Sequence, residues 1–243
     1  MNKITKFITR YKNARRLGLS YFRTSSFHLP EKIDFNGNSI NLDYPDEKGI
    51  FIDFLSIFLD DDYGLTKFRK NKISKIIDIG ANVGFFSLAS RFFFPNSEIH
   101  AYEPNLNLER YLAHNFSQLN IKLRTQAVGN KSCSVELDLM GESNQTRVKE
   151  TSCGSTKMVS LNSLLKEAGG KIDLLKMDCE GSEWDILEDP ESLRQVENIT
   201  LEYHLWANQE DHDYAKDLVI SHGFKIVKHE PSSEFGIICG SRN

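Results

Sequence analysis

The chain has 243 residues, of which 40% are hydrophobic and 26% are charged, and its formal net charge is -4. These proportions are ordinary for a globular protein, and the length suits one α/β domain with a short extension. A net negative charge argues against a nucleic-acid partner, because proteins bind the phosphates of nucleic acids through positively charged surfaces. The four cysteines form no C-x-x-C pair, so they predict neither a zinc site nor a disulfide framework and favour a cytoplasmic location.

Residues 1–22 predict a basic amphipathic helix. Lysines and arginines alternate here with Ile4, Phe7, Ile8 and Tyr11, and the charges leave no apolar core for a signal peptide. Such a helix could rest on an anionic membrane surface, or it could pack Phe7 and Tyr11 on the domain or on the second subunit of a homodimer. We favour packing, because basic amphipathic helices are common in proteins that bind no membrane.

Between this helix and residue 75 the pattern predicts one hairpin and one longer helix. Residues 33–35 and 39–42 alternate apolar and polar side chains around Asn36-Gly37, a strong signal for a hairpin turn. Residues 46–60 have apolar side chains at helical spacing. We interpret residues 1–74 as an N-terminal α/β extension that caps the substrate side, and residues 75–243 as the ligand-binding domain.

From residue 75 the sequence alternates strands and helices, which predicts parallel strands joined by right-handed crossovers. The predicted strands are 75–79, 98–102, 121–128, 172–177, 196–203, 224–228 and 235–239. A short turn joins the last two, which makes that pair antiparallel. The predicted fold is therefore α/β, with a Rossmann-like sheet of seven mostly parallel strands and an antiparallel last strand. Residues 135–139 and 157–160 are predicted as extra edge strands.

The first of these strands leads into a glycine turn, Gly80-Ala81-Asn82-Val83-Gly84, and then into a helix that starts at Phe85. Glycine accepts a positive φ and lets a ligand approach the backbone, and the helix N-terminus adds free N–H donors. The turn is a nucleotide-sized site, but its spacing matches neither dinucleotide enzymes nor phosphate loops. Asp78, just before the turn, either contacts the ligand or anchors the turn.

Polar residues follow the other strands at the same edge of the sheet, where open α/β sheets bind ligands. Glu103, followed by Pro104, comes about twenty residues after the glycine turn, where a carboxylate accepts both hydroxyls of a ribose. Gln126 and Ala127 close the third strand and would flank an adenine. The pocket is therefore adenosine-shaped. The missing G-x-G-x-x-G and the antiparallel final strands favour S-adenosylmethionine over a dinucleotide such as NAD.

Three motifs in this order complete the pattern: Asp-Ile-Gly-Ala-Asn-Val-Gly at 78–84, Tyr-Glu-Pro-Asn at 102–105 and Asp-Cys-Glu-Gly-Ser-Glu-Trp at 178–184. From about residue 75 to 240 the chain resembles the FkbM family of S-adenosylmethionine-dependent methyltransferases. Asn162 and Cys179 stand where that family usually has Asp and an aliphatic residue, and we expect neither to touch the cofactor pocket. The resemblance implies methyl transfer, mostly to a hydroxyl of a sugar or secondary metabolite.

Transfer to a hydroxyl requires a base that removes its proton. His204 is the leading candidate, because a histidine pKa lies near neutrality. Asp178, also a candidate cofactor contact, is the second, and Glu180 in the same motif is a further catalytic candidate. Asp178, Glu202 and His204 could instead gather a Mg²⁺ ion that lowers the pKa of the hydroxyl, although carboxylates at a sheet edge also serve as helix caps.

Three functions are compatible with this pattern. The preferred one is a methyltransferase whose acceptor is a glycan, a glycolipid or another small molecule. The alternatives are an NAD-dependent oxidoreductase and a non-catalytic cofactor-binding partner in a polysaccharide-synthesis complex. The ligand separates the first two, since the methyltransferase should bind S-adenosylhomocysteine and the oxidoreductase should bind NAD.

Overall fold

The chain folds into alternating strands and helices. The structure, a computed structural model, describes residues 3–35, 37–139, 141, 143, 146–150, 154–189, 191, 193–208 and 210–242. Its strands are β1 (Lys32–Phe35), β2 (Asn38–Asn41), β3 (Lys75–Ile79), β4 (Glu98–Tyr102), β5 (Lys122–Arg124), β6 (Ala127–Gly129), β7 (Cys133–Leu139), β8 (Thr146–Glu150), β9 (Thr156–Ser160), β10 (Leu174–Met177), β11 (Asn198–His204), β12 (Lys225–Pro231) and β13 (Phe235–Ser241). Its α-helices are α1 (Lys3–Arg16), α2 (Lys48–Phe54), α3 (Phe85–Phe93), α4 (Glu109–Phe116), α5 (Leu161–Glu167), α6 (Glu183–Glu188), α7 (Leu205–Asn208) and α8 (His212–Ser221). A π-helical segment, Leu55–Asp60, continues α2, and single 3₁₀ turns form at Thr24–Ser26, Leu65–Phe68 and Leu106–Leu108.

Seven strands form the central sheet in the order β12-β13-β11-β10-β3-β4-β5. The strands β5, β4, β3, β10 and β11 pair in parallel, whereas β13 is antiparallel to both of its neighbours. The predicted α/β class, strand number and antiparallel last strand are therefore confirmed. Because β3, β4, β10 and β11 run in one direction, their carboxyl ends meet at a single edge.

Two details of the predicted sheet are wrong. The third strand, predicted at 121–128, breaks at the polar residues Thr125 and Gln126, so that β5 stays in the central sheet and β6 leaves it. The strand β6 joins a second, four-stranded sheet with the order β6-β9-β7-β8. Residues 135–139 and 157–160, predicted as extra edge strands, form the strands β7 and β9 of this second sheet. The sequence does not predict its strand β8, because Val148 is the only apolar residue in it.

Helices cover both faces of the central sheet. Successive residues of β3 point to opposite faces, as in any strand, and both faces are apolar. Ile76 belongs to the core cluster that contains α3, α4 and the N-terminal residues, and Ile77 belongs to the cluster that contains α5, α6 and α8. The run of isoleucines that predicted a buried strand therefore fills two separate cores.

The N-terminal extension packs on the α3 face of the sheet. The predicted hairpin is confirmed as β1 and β2, which pair Ile33 with Ile40, although Asn36 of its turn lies outside the described residues. The predicted helix at 46–60 is confirmed as α2 with its π-helical continuation. Phe54 packs edge-on against Phe85, with ring centroids 5.5 Å apart. The extension and the domain therefore share one hydrophobic core.

The predicted N-terminal helix is confirmed as α1. A largely buried ion pair attaches it to a later part of the N-terminal extension. Arg10 donates from Nε and Nη2 to the two carboxylate oxygens of Asp60, at 2.6 Å each. Phe7 packs on Tyr21 with ring centroids 6.1 Å apart, yet Phe7 and Tyr11 stay 45% and 40% exposed. The predicted packing of these two side chains on the domain is therefore only partial. Among the described helices, none is both long and apolar enough to cross a membrane.

Candidate active site

A cavity of about 300 Å³ opens at the carboxyl ends of β3, β4, β10 and β11, at the edge of the sheet where the sequence predicts a ligand. Its volume is in the range of small-molecule sites. The predicted residues that line it are Gly80, Asn82, Phe85, Glu103, Pro104, Gln126, Ala127, Asp178, Glu180 and Glu202. The predicted residues Asp78, Gly84 and His204 lie behind this lining.

Close packing of the backbone explains the glycine turn. Gly80 has a φ of 73°, and a Cβ atom there would lie 1.7 Å from the carbonyl oxygen of Asp178. Only glycine therefore allows β3 and β10 to end so close together. Gly84 has a φ of 89°, but its Cα faces the ring of Phe116, so its role is packing rather than the predicted contact with the cofactor.

Asp78 and Lys176 form a buried ion pair under the turn. Asp78 is fully buried and accepts the Ser87 hydroxyl at 2.6 Å, so of the two predicted roles it has that of an anchor. Lys176 Nζ lies 3.3 Å from Asp78 Oδ1 and donates to the carbonyl of Gly80 at 2.6 Å. Burial lowers the pKa of Lys176, but Asp78 and Asp178 raise it above its ordinary value, so the ammonium group stays charged.

Glu103 is fixed by two backbone amides at the cavity wall. Its Oε2 accepts the N–H of Asn82 at 2.8 Å, and its Oε1 accepts the N–H of Asn105 at 2.9 Å. Burial raises the pKa of Glu103 to about 7, and the two amide bonds limit this rise. Each carboxylate oxygen keeps a second lone pair, so the group can still accept a pair of hydroxyls.

The N-terminal extension supplies side chains to the cavity that the sequence did not predict. The Tyr63 hydroxyl donates to Asp178 Oδ2 at 2.8 Å and lies 3.2 Å from Glu202 Oε2. Asn82 Nδ2 donates to Asp53 Oδ2 at 3.0 Å. Burial, together with the charges of Asp178 and Glu202, raises the pKa of Tyr63 well above its ordinary value, so it acts as a neutral donor. The extension thus links two strand ends and the glycine turn.

We expect Tyr63→Phe to lower the free energy of unfolding by about 1.5–3 kcal/mol, the range for a hydrogen bond to a charged group. The variant leaves Asp178 and Glu202 close together without their shared donor. Urea denaturation measures the change. Tyr44→Phe is the matched control, because the Tyr44 hydroxyl donates to a neutral carbonyl, that of Pro30 at 3.1 Å, and should cost less. Equal losses in the two variants would contradict a special role for Tyr63.

Carboxylates surround His204 under the cavity floor. His204 Nε2 lies 3.6 Å from Glu202 Oε1 and 3.7 Å from Glu180 Oε2, and His204 Nδ1 lies 3.7 Å from Glu183 Oε1. Burial lowers the pKa of His204, but Glu183, Asp178 and Glu180 raise it, to a net value of about 10. The ring is therefore an imidazolium at neutral pH.

The prediction that His204 is the general base has to be corrected. A base must accept a proton, and an imidazolium has no free lone pair to do so. The ring is also buried, at 6% exposure, behind the carboxylates that line the cavity. Its position instead supplies a positive charge to Glu180 and Glu202. The sequence suggests a neutral histidine, but the carboxylates that follow β10 make the protonated form more stable.

Glu180 occupies the position that suits a base. It has a φ of 52°, a left-handed conformation that costs free energy in a residue other than glycine and aims its carboxylate into the cavity. Burial raises the pKa of Glu180 to about 8, His204 opposes this rise, and Asp178 adds to it. Asp178 and Glu202 both lie within hydrogen-bond reach of Tyr63, whereas the contact of Glu180 with His204 is an ion pair at 3.7 Å.

Glu183 supports the turn that carries Glu180. Its carboxylate is fully buried and accepts the backbone N–H groups of Cys179 and Gly181, the latter at 2.8 Å. Glu183 therefore caps the turn that leads into α6. Burial raises the pKa of Glu183, but His204 and the backbone hydrogen bonds lower it by more. The net pKa therefore lies below its ordinary value, and Glu183 remains ionised.

The donors near His204 do not fit the predicted Mg²⁺ site of Asp178, Glu202 and His204. In the described part of the chain, the residues whose ligand atoms lie within 4.8 Å of one another are Asp178, Glu183 and His204. Glu183, rather than the predicted Glu202, completes this group, and both of its carboxylate oxygens already accept backbone N–H groups.

Four further side chains differ in their position relative to the cavity. Asn162 donates to Asp189 and lies away from the cavity, as expected, but Cys179 lines it, contrary to expectation. Trp184 is a packing residue whose Nε1 donates to the His204 carbonyl at 2.8 Å. Trp206 is 42% exposed and lies under the guanidinium of Arg147.

The fold and the cavity define a mixed α/β protein with a cavity of small-molecule size at the carboxyl edge of its central sheet. Residues 78–226, more than half of the chain, match the family described as Methyltransferase FkbM domain. The chain belongs to the FkbM family of methyltransferases. This confirms the resemblance found in the sequence motifs. It also removes the reason for the oxidoreductase alternative.

Relatives of this chain carry the same general name. It is 27% identical over 210 residues to Methyltransferase 1 of Beauveria bassiana, which covers 72% of this chain and 81% of the relative. It is also 27% identical over 216 residues to Methyltransferase sdnD of Sordaria araneosa, with 72% and 82% covered. Among solved structures, the ribosomal protein L11 methylase of Lactobacillus delbrueckii subsp. bulgaricus aligns with a TM-score of 0.48 and 12% identity, covering 83% of this chain and 82% of that one.

Proposed function

We propose that this protein transfers a methyl group from S-adenosylmethionine to a hydroxyl oxygen, and that the acceptor is a sugar of a glycan, a glycolipid or a secondary metabolite. One observation carries the proposal. A single cavity has Glu103, with lone pairs free for a ribose, on one wall and the carboxylates of Asp178, Glu180 and Glu202 on another.

The residues of the cavity fit this cofactor. Glu103 would accept the ribose hydroxyls, and Pro104 and Ala127 form the apolar wall beside it. Asn82 has a buried side-chain oxygen without a partner, which would accept a donor of the cofactor. When bound, S-adenosylmethionine supplies an electrophilic methyl group on a cationic sulfur. The nearby acidic side chains are electrostatically complementary to that charge.

The acidic wall also suits a hydroxyl acceptor. Glu180 removes the proton of the hydroxyl that reacts, and Asp178 and Glu202 are positioned to accept hydrogen bonds from neighbouring hydroxyls. A sugar carries several hydroxyls on adjacent carbons, so it fits three carboxylates better than an isolated alcohol does. Ile52 and Ile57 of the extension add apolar side chains to the lining of the cavity. Orientation of the acceptor against the methyl group is the main contribution of the protein.

Calorimetry with the full chain tests the cofactor assignment. We expect S-adenosylhomocysteine to bind and NAD not to bind. Glu103→Gln should weaken S-adenosylhomocysteine by about tenfold to a hundredfold, because a charge-assisted acceptor of the ribose is lost. Glu98→Gln is the matched control, since Glu98 lies on the same strand but is exposed. Tight binding of NAD alone, or equal affinities in the two variants, would overturn the assignment.

Transfer of a labelled methyl group to candidate glycans, with the product analysed by mass spectrometry, tests the acceptor. We expect the label on a sugar oxygen. A label on nitrogen or carbon would contradict O-methylation. Cofactor binding without turnover on any glycan or small hydroxylated acceptor would favour the non-catalytic partner.

A further inference from the structure

The helix α1 presents an apolar stripe to the outside of the molecule. Ile4, Phe7, Ile8 and Tyr11 are 72%, 45%, 43% and 40% exposed, respectively. Their spacing of i, i+3, i+4 and i+7 places them on one face of the helix. The rings of Phe7 and Tyr11 stack with centroids 6.3 Å apart, which makes the stripe continuous. We call these four residues the α1 stripe.

Positive charge surrounds the α1 stripe. The first 30 residues contain seven lysines and arginines and no acidic residue, although the whole chain has a net charge of -4. Two of the seven are paired, because Lys6 and Arg10 both contact Asp60. The exposed basic residues of the helix that the described contacts leave without a carboxylate partner are Lys3, Lys12, Arg15 and Arg16.

Contacts on another face hold α1 to the rest of the protein. Ala14 is fully buried, Asn13 donates to the carbonyl of Leu59 at 3.0 Å, and Arg10 binds Asp60. Apart from the contact of Phe7 with Tyr21, the α1 stripe is therefore not needed to attach the helix. A helix that leaves four large apolar side chains partly exposed presents a surface that is suited to contact with another molecule or with a membrane.

We propose that α1 docks this protein on the surface of an anionic lipid bilayer. The α1 stripe would enter the boundary between headgroups and acyl chains, while Lys12, Arg15 and Arg16 contact anionic headgroups. The charge around the α1 stripe favours a bilayer over other binding partners. A two-fold dimer through α1 would bring two basic faces together, and a nucleic acid offers no apolar surface for Ile4 and Ile8. This docking is separate from methyl transfer, and it reverses the preference for packing that the sequence suggests.

Co-sedimentation of the full chain with vesicles tests the docking. We expect binding to vesicles of phosphatidylcholine mixed with phosphatidylglycerol, and weaker binding to phosphatidylcholine alone or at high salt. Ile4→Ser/Ile8→Ser should weaken binding about tenfold or more, because the affinity for a bilayer increases with the apolar area that is buried in it. Lys12→Gln/Arg15→Gln/Arg16→Gln should remove the preference for anionic vesicles. All these side chains are exposed, so thermal unfolding should be unchanged.

Matched controls change exposed residues elsewhere. Ile220→Ser/Val227→Ser removes two apolar side chains that are 48% and 41% exposed, and Lys72→Gln/Lys157→Gln removes exposed charges. Both should bind vesicles like the unmodified chain. Failure to sediment with any vesicle would overturn the proposal. So would equal loss in stripe and control variants, or a dimer that forms without lipid and is broken by Ile4→Ser/Ile8→Ser.

Discussion

Replacing Glu180 with glutamine should lower kcat by about 10²- to 10⁴-fold and leave the affinity for S-adenosylhomocysteine nearly unchanged. Glutamine keeps the size of the side chain but cannot accept the proton of the acceptor hydroxyl at neutral pH. Its neighbours Asp178 and Glu202 are poorer substitutes, because one oxygen of each already lies within hydrogen-bond distance of the Tyr63 hydroxyl. Single-turnover rates on an acceptor that is methylated by the unmodified chain measure the effect.

The rate should rise with pH across the pKa of Glu180. Burial, together with Asp178, raises the pKa of Glu180 to about 8 against the lowering effect of His204, so the active carboxylate forms and the rate rises as the pH passes about 8. His204 has a pKa of about 10, because its carboxylate neighbours outweigh burial, so it stays charged throughout this rise. The rising limb belongs to the coupled cluster rather than to one residue.

Two variants separate Glu180 from a merely structural role. Glu188→Gln changes an exposed carboxylate at the end of α6 and should keep the full rate and the same profile. His204→Gln removes the positive charge beside Glu180, so the rising limb should move to higher pH. A Glu180→Gln variant with normal turnover, or a rate that is constant between pH 6 and 9, would contradict the assignment of the base.

The sequence predicts this site well where the backbone alone defines it. Gly80 is required because two strands approach each other closely, and Glu103 is the first residue after β4. Both can therefore be recognised from local spacing in the sequence. The parallel order of β3, β4 and β10 then brings them to one cavity. Such features depend on dihedral angles and strand direction, which short motifs encode.

The sequence does not predict side chains that reach the cavity from distant parts of the chain. Tyr63 contacts Asp178 across 115 residues, and Lys176 contacts Asp78 inside a strand that looks apolar. The sequence-based prediction of the base is wrong for the same reason. The pKa of His204, at the end of β11, is raised by Glu183, Asp178 and Glu180 in the segment that follows β10, and this effect is visible only when the fold has brought the two segments together.

Lys176→Met should lower the free energy of unfolding by about 3–5 kcal/mol, the cost of breaking a buried ion pair. Lys176 is 3% exposed and Asp78 is fully buried, so the variant leaves a carboxylate charge without a partner inside the core. It also removes the donor to the Gly80 carbonyl and loosens the glycine turn, so cofactor affinity should fall with stability. Urea denaturation at pH 7 measures the first effect, and calorimetry measures the second.

The origin of this loss can be tested with a second substitution. Lys176→Met/Asp78→Asn removes both charges, so it should be more stable than Lys176→Met alone. Lys216→Met, which breaks an exposed pair with Asp213, should leave stability unchanged. If the double variant were as unstable as the single one, packing of the lysine stem rather than its charge would account for the loss.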